Sequence, residues 1–319
     1  MSLGWHSTAM EAVEGYDLTG KQVVLTGASS GIGVETVRAL ASANANLILG
    51  VRDLAKGREA LEEIAAQHGR NMRLLELDLA NLESVQHFAQ QISGPVDILI
   101  ANAGVSKSPD SHLPNGLDLR FATNHLGHFL LAHLLRQQMA DRGARIVVVS
   151  SAAHKGMPVQ MDDLQWRKRQ HHDGAAYAES KSANILFAQE ATRRWSADGI
   201  FANAVLPGSA MTGLQRYHGD ALKRQIGFIQ EDGSLDPMVK TIEQAAATSV
   251  WAATAPELDG RGGLVLEDCA EARPVGPDTH PWMGYDSNVS DPETARALWQ
   301  HSLDLIGEHA GADVLLRIA

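Results

Sequence analysis

The chain has 319 residues, 44% of them hydrophobic and 20% charged, with a formal net charge of -11. That acidity, with no long Lys/Arg run, runs against the make-up of a non-specific nucleic-acid binder, and the single cysteine, Cys269, excludes an intrachain disulfide and fits a reducing compartment. The start, MSLGWHSTAMEAVEG, lacks the basic and apolar stretches of a signal peptide, and no apolar run approaches the ~18–20 residues of a membrane span, so the expected location is the cytoplasm.

Along the chain, short apolar β-branched runs alternate with helical patterns. Residues 21–26 (KQVVLT) predict a strand and 31–42 an amphipathic helix; 46–51 (NLILGV) a strand and 54–68 a helix. A third strand is expected over 72–77 with a helix near 82–92, and a fourth over 96–101 (VDILIA) with a helix over 117–139. Residues 144–150 (ARIVVVS) give the fifth strand, 175–196 a long helix, and 200–206 (IFANAVL) the sixth strand. Strands this apolar, each separated by a helix, indicate a parallel sheet covered on both faces, a doubly wound (Rossmann) α/β fold. No linker interrupts the pattern, so one domain over 1–319 is expected, with an N-terminal extension at 1–18. Two segments break the rhythm: polar 209–237, placed as a substrate loop, and Pro/Gly/Asp-rich 273–292, placed as a surface excursion before a helix at 292–307.

The first strand runs into Thr26-Gly27-Ala28-Ser29-Ser30-Gly31-Ile32-Gly33 and then a helix. Glycines there let the backbone turn sharply and approach a ligand, and the helix start offers unpaired N–H groups to a pyrophosphate. Gly27, Ser29, Ser30, Gly31, Ile32 and Gly33 are therefore candidate cofactor contacts. At the end of the second strand, the position where an acidic residue would bind a ribose 2′-OH holds Val51, followed by Arg52. Arg52 suits a 2′-phosphate, which favours NADP(H) over NAD(H), while Asp53 reads as the cap of the next helix. Asp78, with Leu79, either falls near the adenine or caps the helix after it. Asn102-Ala103-Gly104 turns the backbone at the carboxyl edge of the sheet, where ligands of such folds bind.

Tyr177 and Lys181 lie four apart at the start of a helix and share one face. A tyrosine has a reference pKa of ~10; a neighbouring ammonium favours its phenolate and would bring Tyr177 toward work as a general acid/base. Ser150-Ser151 ends the fifth strand, where a hydroxyl can hold a carbonyl oxygen. Asn124, within FATNHLGHF, offers its side chain or its carbonyl to a water beside Lys181. His125, His128 and His133 lack the Cys or carboxylate partners of a metal site and read as packed or solvated histidines, so no metal is expected. After the sixth strand, Pro207-Gly208 stops the chain and Thr212 is placed to bond a nicotinamide carboxamide. Met157, Pro158, Met211, Leu214, Tyr217 and Phe228 offer an apolar lining for a hydrophobic ketone, aldehyde, steroid-like or aromatic alcohol, or else simply pack the fold. Arg216, Lys223 and Arg224 leave room for one carboxylate.

From Thr19 to Leu206 these pieces, in this order, resemble the short-chain dehydrogenase/reductase family: TGASSGIG, the NAG at 102–104, Asn124, Ser151, YAESK and PGSAMT. The resemblance implies a catalytic tetrad of Asn124, Ser151, Tyr177 and Lys181, with hydride exchange at nicotinamide C4 and the proton passed by Tyr177. VRDLAKG, DDLQW, SKSANILFAQE and ALWQHSLDLIG are similar to the branch containing retinol dehydrogenases, the WW-domain oxidoreductase and protochlorophyllide reductase, a branch that mostly takes NADP(H). ANAG in place of NNAG, VLPG in place of VHPG and an enlarged 273–292 depart from it, so retinoid specificity is not implied. The reading is a carbonyl/alcohol oxidoreductase acting on a small molecule; the rivals are an NAD-linked alcohol dehydrogenase and a non-catalytic redox sensor. Relatives pair through the helices at 117–139 and 175–196, a face that the insert before Tyr177 would block, so the oligomeric state stays open.

Overall fold

The computed structural model describes residues 3–318. Its elements run α1 (Ala9–Val13), β1 (Gln22–Thr26), α2 (Ile32–Ser42), β2 (Asn46–Val51), α3 (Leu54–His68), β3 (Met72–Glu76), α4 (Leu82–Gln90), β4 (Ile98–Ala101), α5 (Leu119–Phe121), α6 (Gly127–Met139) and β5 (Ala144–Val149). They continue with α7 (Asp173–Trp195), β6 (Ile200–Leu206), α8 (Asp220–Gln225), α9 (Ile242–Thr254), β7 (Val265–Glu267), β8 (Ala270–Glu271), α10 (Pro292–Ala310) and α11 (Ala312–Ile318).

The strands form one sheet in the order β3-β2-β1-β4-β5-β6-β7-β8, parallel throughout except for the β7–β8 hairpin. The chain steps outward from β1 to β3 and then returns to the other side of β1 with β4. A ligand crevice opens where the order reverses, beyond the carboxyl ends of the strands. Strands β4 and β5 are buried along their whole length, because helices cover both faces. One apolar layer packs α4, α6, α7, α10 and α11 against the sheet, and the other packs α1, α2, α3 and α9.

The doubly wound fold is as the sequence indicates, with elements added to it, among them α1, α8, α9, α11, β7 and β8. Helix α9 is Ala-rich and buried from Ala245 to Ala253, so it shows no polar stripe that a periodicity reading could catch. Strand β7 is only three residues long. Residues before β1 form α1, whose Thr8 and Glu11 cap each other and whose Ala9, Ala12 and Val13 are buried in the layer that holds α9.

The helix expected over 117–139 contains a widened π-helical turn, Ala122–Leu126, between α5 and α6. Such turns rearrange a helix's hydrogen bonds locally and are frequent at functional sites. The face of α6 and α7 is covered by α10 and α11 of the same chain. Trp299 of α10 packs its ring 4.9 Å from Phe129, 4.8 Å from His133 and 5.2 Å from Trp195. The C-terminal helices thus cover this face, while the insert before Tyr177 also packs on α7 through Arg169–Glu179 and Met157–Ser182.

Candidate active site

The glycine loop is built by close approach. A Cβ on Gly33 would lie 2.1 Å from the Gly27 carbonyl oxygen, so only glycine lets α2 start this near the loop. Gly31, at φ +55°, precedes α2 and supplies no side-chain cap, so the N–H groups of its first turn keep no side-chain partner. That uncapped helix start behind a glycine turn fits a pyrophosphate. The Thr26 hydroxyl accepts the N–H groups of Asn102 and Ala103, each at 3.0 Å, and Asn102 Nδ2 donates to the Thr26 carbonyl at 2.9 Å. The NAG turn and the glycine loop are thereby fastened as one cradle, with Ser29 and Ser30 in the loop itself.

At the end of β2 Val51 is buried and Arg52 exposed. Asp53 turns its carboxylate into α3, accepting the N–H groups of Ala55 at 2.9 Å and Lys56 at 3.1 Å. Asp78 does not cap α4: Asn81 does, accepting from Glu83 and Ser84, while Asp78 accepts the Ala80 N–H at 3.0 Å. Leu79 is buried.

Helix α7 carries Tyr177 and Lys181 beneath the ends of β5 and β6. Lys181 Nζ donates to the Val149 carbonyl at 2.9 Å and stands 5.7 Å from the centre of the Tyr177 ring. Of the two serines after β5, Ser150 is spent on structure, its hydroxyl donating to the Lys181 carbonyl at 2.7 Å. Ser151 is the one whose hydroxyl acts on Tyr177, opposing the upward push of burial on the phenol, and it accepts the Ala153 N–H at 3.2 Å.

Burial dominates the titration of the pair in the protein without cofactor. Burial pushes the Tyr177 hydroxyl above its ordinary range, with the Ser151 hydrogen bond a smaller opposing effect, so in this protein alone Tyr177 is firmly protonated. Burial also pushes Lys181 down to about 7. A lysine held near neutrality and bonded to a carbonyl is a weaker promoter of the phenolate than the spacing suggests.

Asn124 lies in the π-helical turn, and its side chain is engaged at both polar atoms. Nδ2 donates to the Val105 carbonyl and to Ser180 Oγ, both at 2.9 Å, and Oδ1 accepts the Val105 N–H at 2.8 Å. Oδ1 and the backbone carbonyl, which accepts His128 Nδ1–H at 3.0 Å, each accept one bond and so each keeps a lone pair. Gly104 stands between Asn124 and Lys181: a Cβ there would lie 3.3 Å from Asn124 Oδ1 and 3.5 Å from Lys181 Nζ.

The three histidines are packed. His128 joins the Thr26 hydroxyl, at 2.8 Å, to the Asn124 carbonyl, so it links the cradle to the tetrad. His125 contacts Ser302 Oγ at 2.9 Å and His133 bonds the Phe129 carbonyl at 2.8 Å. Among the described residues no group of His, Cys, Asp and Glu is arranged to hold a metal.

The loop after β6 folds back over the cradle. Thr212 does not stand free for a ligand: its hydroxyl accepts the Leu214 N–H at 3.2 Å and donates to Gln215 Oε1 at 3.2 Å. Its Cβ would sit 3.0 Å from a Cβ on Gly31, which places it against the glycine loop. Pro207-Gly208 is braced from behind by buried Lys240, whose Nζ pairs with Asp268 at 2.5 Å. Met157, Met211 and Leu214 are half-buried and Pro158 exposed. Tyr217 is 46% exposed, whereas Phe228 is buried with its ring 5.4 Å from Trp282.

Residues 21–223 match the family model described as short chain dehydrogenase. The chain belongs to the short-chain dehydrogenase/reductase family, a family of oxidoreductases. A Streptomyces lividans protein named "Probable oxidoreductase" is 44% identical over 294 residues, spanning 91% of this chain and 99% of that protein. The human WW domain-containing oxidoreductase is 36% identical over 318 residues, 96% of this chain and 73% of that protein, in keeping with the branch that the sequence resembles. A crystal structure of BdcA in complex with NADPH superposes with a TM-score of 0.60 at 25% identity, covering 82% of this chain and 99% of that one.

Proposed function

We propose that this protein interconverts a carbonyl and an alcohol with NADP(H), using Tyr177 as the group that exchanges the proton. The observation that carries the reading is the Tyr177–Lys181 pair of α7, with Lys181 Nζ 5.7 Å from the centre of the Tyr177 ring, at the carboxyl edge of the sheet and beside an uncapped glycine cradle. The hydride is the chemistry that a bound nicotinamide supplies. Ser151 and Tyr177 hold the substrate oxygen with two hydroxyls and stabilise its developing negative charge. In reduction, the protonated Tyr177 gives its hydrogen to that oxygen, and burial keeps it in the donating form. Lys181 lies under the phenol to balance the charge left on it, and Asn124 shapes the turn through which its carbonyl faces the site.

Gly27, Ser29, Ser30, Gly31, Ile32 and Gly33 hold the pyrophosphate, with Asn102, Ala103 and Gly104 along the same edge. Pro207, Gly208 and the turn at Thr212 border the nicotinamide end. Exposed Arg52 next to apolar Val51 supports the phosphorylated cofactor, and Asp53, the acidic residue that follows, is spent on its helix. NADPH bound to BdcA is in keeping with this. Met157, Met211, Leu214 and Tyr217 supply an apolar cleft, which suits a hydrophobic ketone, aldehyde or aromatic alcohol.

A panel of carbonyls and alcohols, followed by nicotinamide absorbance, tests the proposal. The expected result is turnover with kcat/KM at least about tenfold higher for NADPH than NADH, and loss of that preference in Arg52→Asp. Cofactor binding without turnover on any carbonyl or alcohol would favour a non-catalytic redox sensor.

A further inference from the structure

Residues 273–292 read from sequence as a surface excursion, but the structure stitches their second half to the catalytic serine. His154, three residues after Ser151, is fully buried. Its Nδ1 lies 2.6 Å from the Ser151 carbonyl and its Nε2 accepts the Asp286 N–H at 3.0 Å. A ring nitrogen that accepts a backbone N–H carries no proton, so the proton is on Nδ1 and is donated to Ser151. The neighbours repeat the link. Lys155 Nζ donates to the Met283 carbonyl at 2.8 Å and to that of Pro281, and the Gly156 N–H reaches Asp286 Oδ2 at 3.0 Å. On the other side the Ser182 hydroxyl of α7 donates to the Met157 carbonyl at 2.6 Å.

The same stretch reaches the opposite wall of the cleft. Trp282 packs its ring 5.4 Å from Phe228 and lies over Gly227, where a Cβ would come within 3.0 Å of the indole. The Gly284 N–H bonds Glu267 Oε2 at 2.8 Å, which fastens the stretch to β7. One short run of chain thus touches the serine turn, the substrate loop and the sheet.

We propose that residues 280–286 form a bracket that sets the spacing of the two walls of the substrate cleft. His154 is its positioning residue for Ser151, and Trp282 sets, through the substrate loop, the bulk of carbonyl that is accepted. This rests on the reading of Ser151 as the group that holds the substrate oxygen. The Ser151 carbonyl takes both the His154 N–H, at 3.1 Å, and the His154 ring, so the turn that aims the Ser151 hydroxyl is held from one residue. A misplacement of about 1 Å in such a group costs on the order of 100-fold in rate.

The test uses the full chain with NADPH. His154→Ala is expected to lower kcat about 100-fold while its NADPH dissociation constant stays within about twofold. His154→Asn, which keeps a donor near the Ser151 carbonyl, should recover about tenfold of that loss. Trp282→Ala should shift the ratio of kcat/KM between a bulky aromatic ketone and a small aldehyde by about tenfold or more. A folded His154→Ala with wild-type kcat, or a loss of NADPH affinity as large as the loss of kcat, overturns the bracket. If His154→Ala does not fold, Trp282→Ala decides, and a ratio within about twofold of wild type overturns it. Tyr177→Phe runs alongside. Full activity there removes the reading of the reactive pair itself, whereas an inactive Tyr177→Phe beside an unaffected His154→Ala removes the bracket alone.

Discussion

His128 and Asn124 show how a residue's role changes once its partners are known. Asn124 in a helical stretch reads as a water holder, and its amide also bonds Val105 and Ser180. Its role is to brace the π-helical turn, and His128 then ties that turn to Thr26 and the cradle. No periodicity reveals this, because both residues face inward like any core position. The burial of the histidines has a measurable consequence. Burial lowers His125 to about 3, His128 to about 4 and His133 to about 3, whereas an unfolded histidine titrates near 6.5. Below that value the unfolded chain takes up protons that the folded one refuses, so stability is present above pH 6.5 and lost as pH falls. Each histidine contributes a slope of about 1.4 kcal/mol per pH unit in that window. Urea unfolding at pH 7.5 and 5.0 should differ by several kcal/mol; equal values would show that these rings are charged or solvated in the native state.

Among the elements, the apolar strand runs and the helices with a polar face were the legible ones. Strands β1 to β6 and helices α2, α3 and α4 appear within a few residues of the expected bounds; the Asp53 cap of α3 was readable, whereas Asn81, in place of Asp78, caps α4. Helix α9 has no polar face and β7 is too short for a pattern, so both escape the reading. Helix α10 was legible, but its use was not: contact between distant segments decides that it covers α6 and α7. Trp299 is the centre of that contact, 4% exposed within a ring of Phe129, His133, Phe187 and Trp195. Trp299→Ala should cost about 3–5 kcal/mol of unfolding free energy, by removing a large buried ring and leaving a cavity. A loss below about 1 kcal/mol would mean that α10 is a detachable cover and no part of the core.

At the scale of the molecule, the sheet order brings together groups that lie far apart in sequence. Thr26, Asn102, Ser151 and Pro207 all follow the carboxyl ends of adjacent parallel strands, so the site lies where the strand order reverses. The order of the motifs made this much readable. The electrostatics were not, since they depend on depth: burial sets Tyr177 high and Lys181 near 7, and spacing alone predicts neither. The link from Ser151 through His154 to Asp286 spans 135 positions and belongs to the same class of hidden contact. The central claim is that Tyr177 exchanges the proton in a carbonyl/alcohol reaction, and Tyr177→Phe tests it most directly, because it removes one oxygen and keeps the half-buried ring. With NADPH and a reducible carbonyl, the account predicts a fall in kcat of roughly 100- to 10,000-fold with NADPH affinity kept within about twofold. A variant that turns over at near the wild-type rate would contradict it.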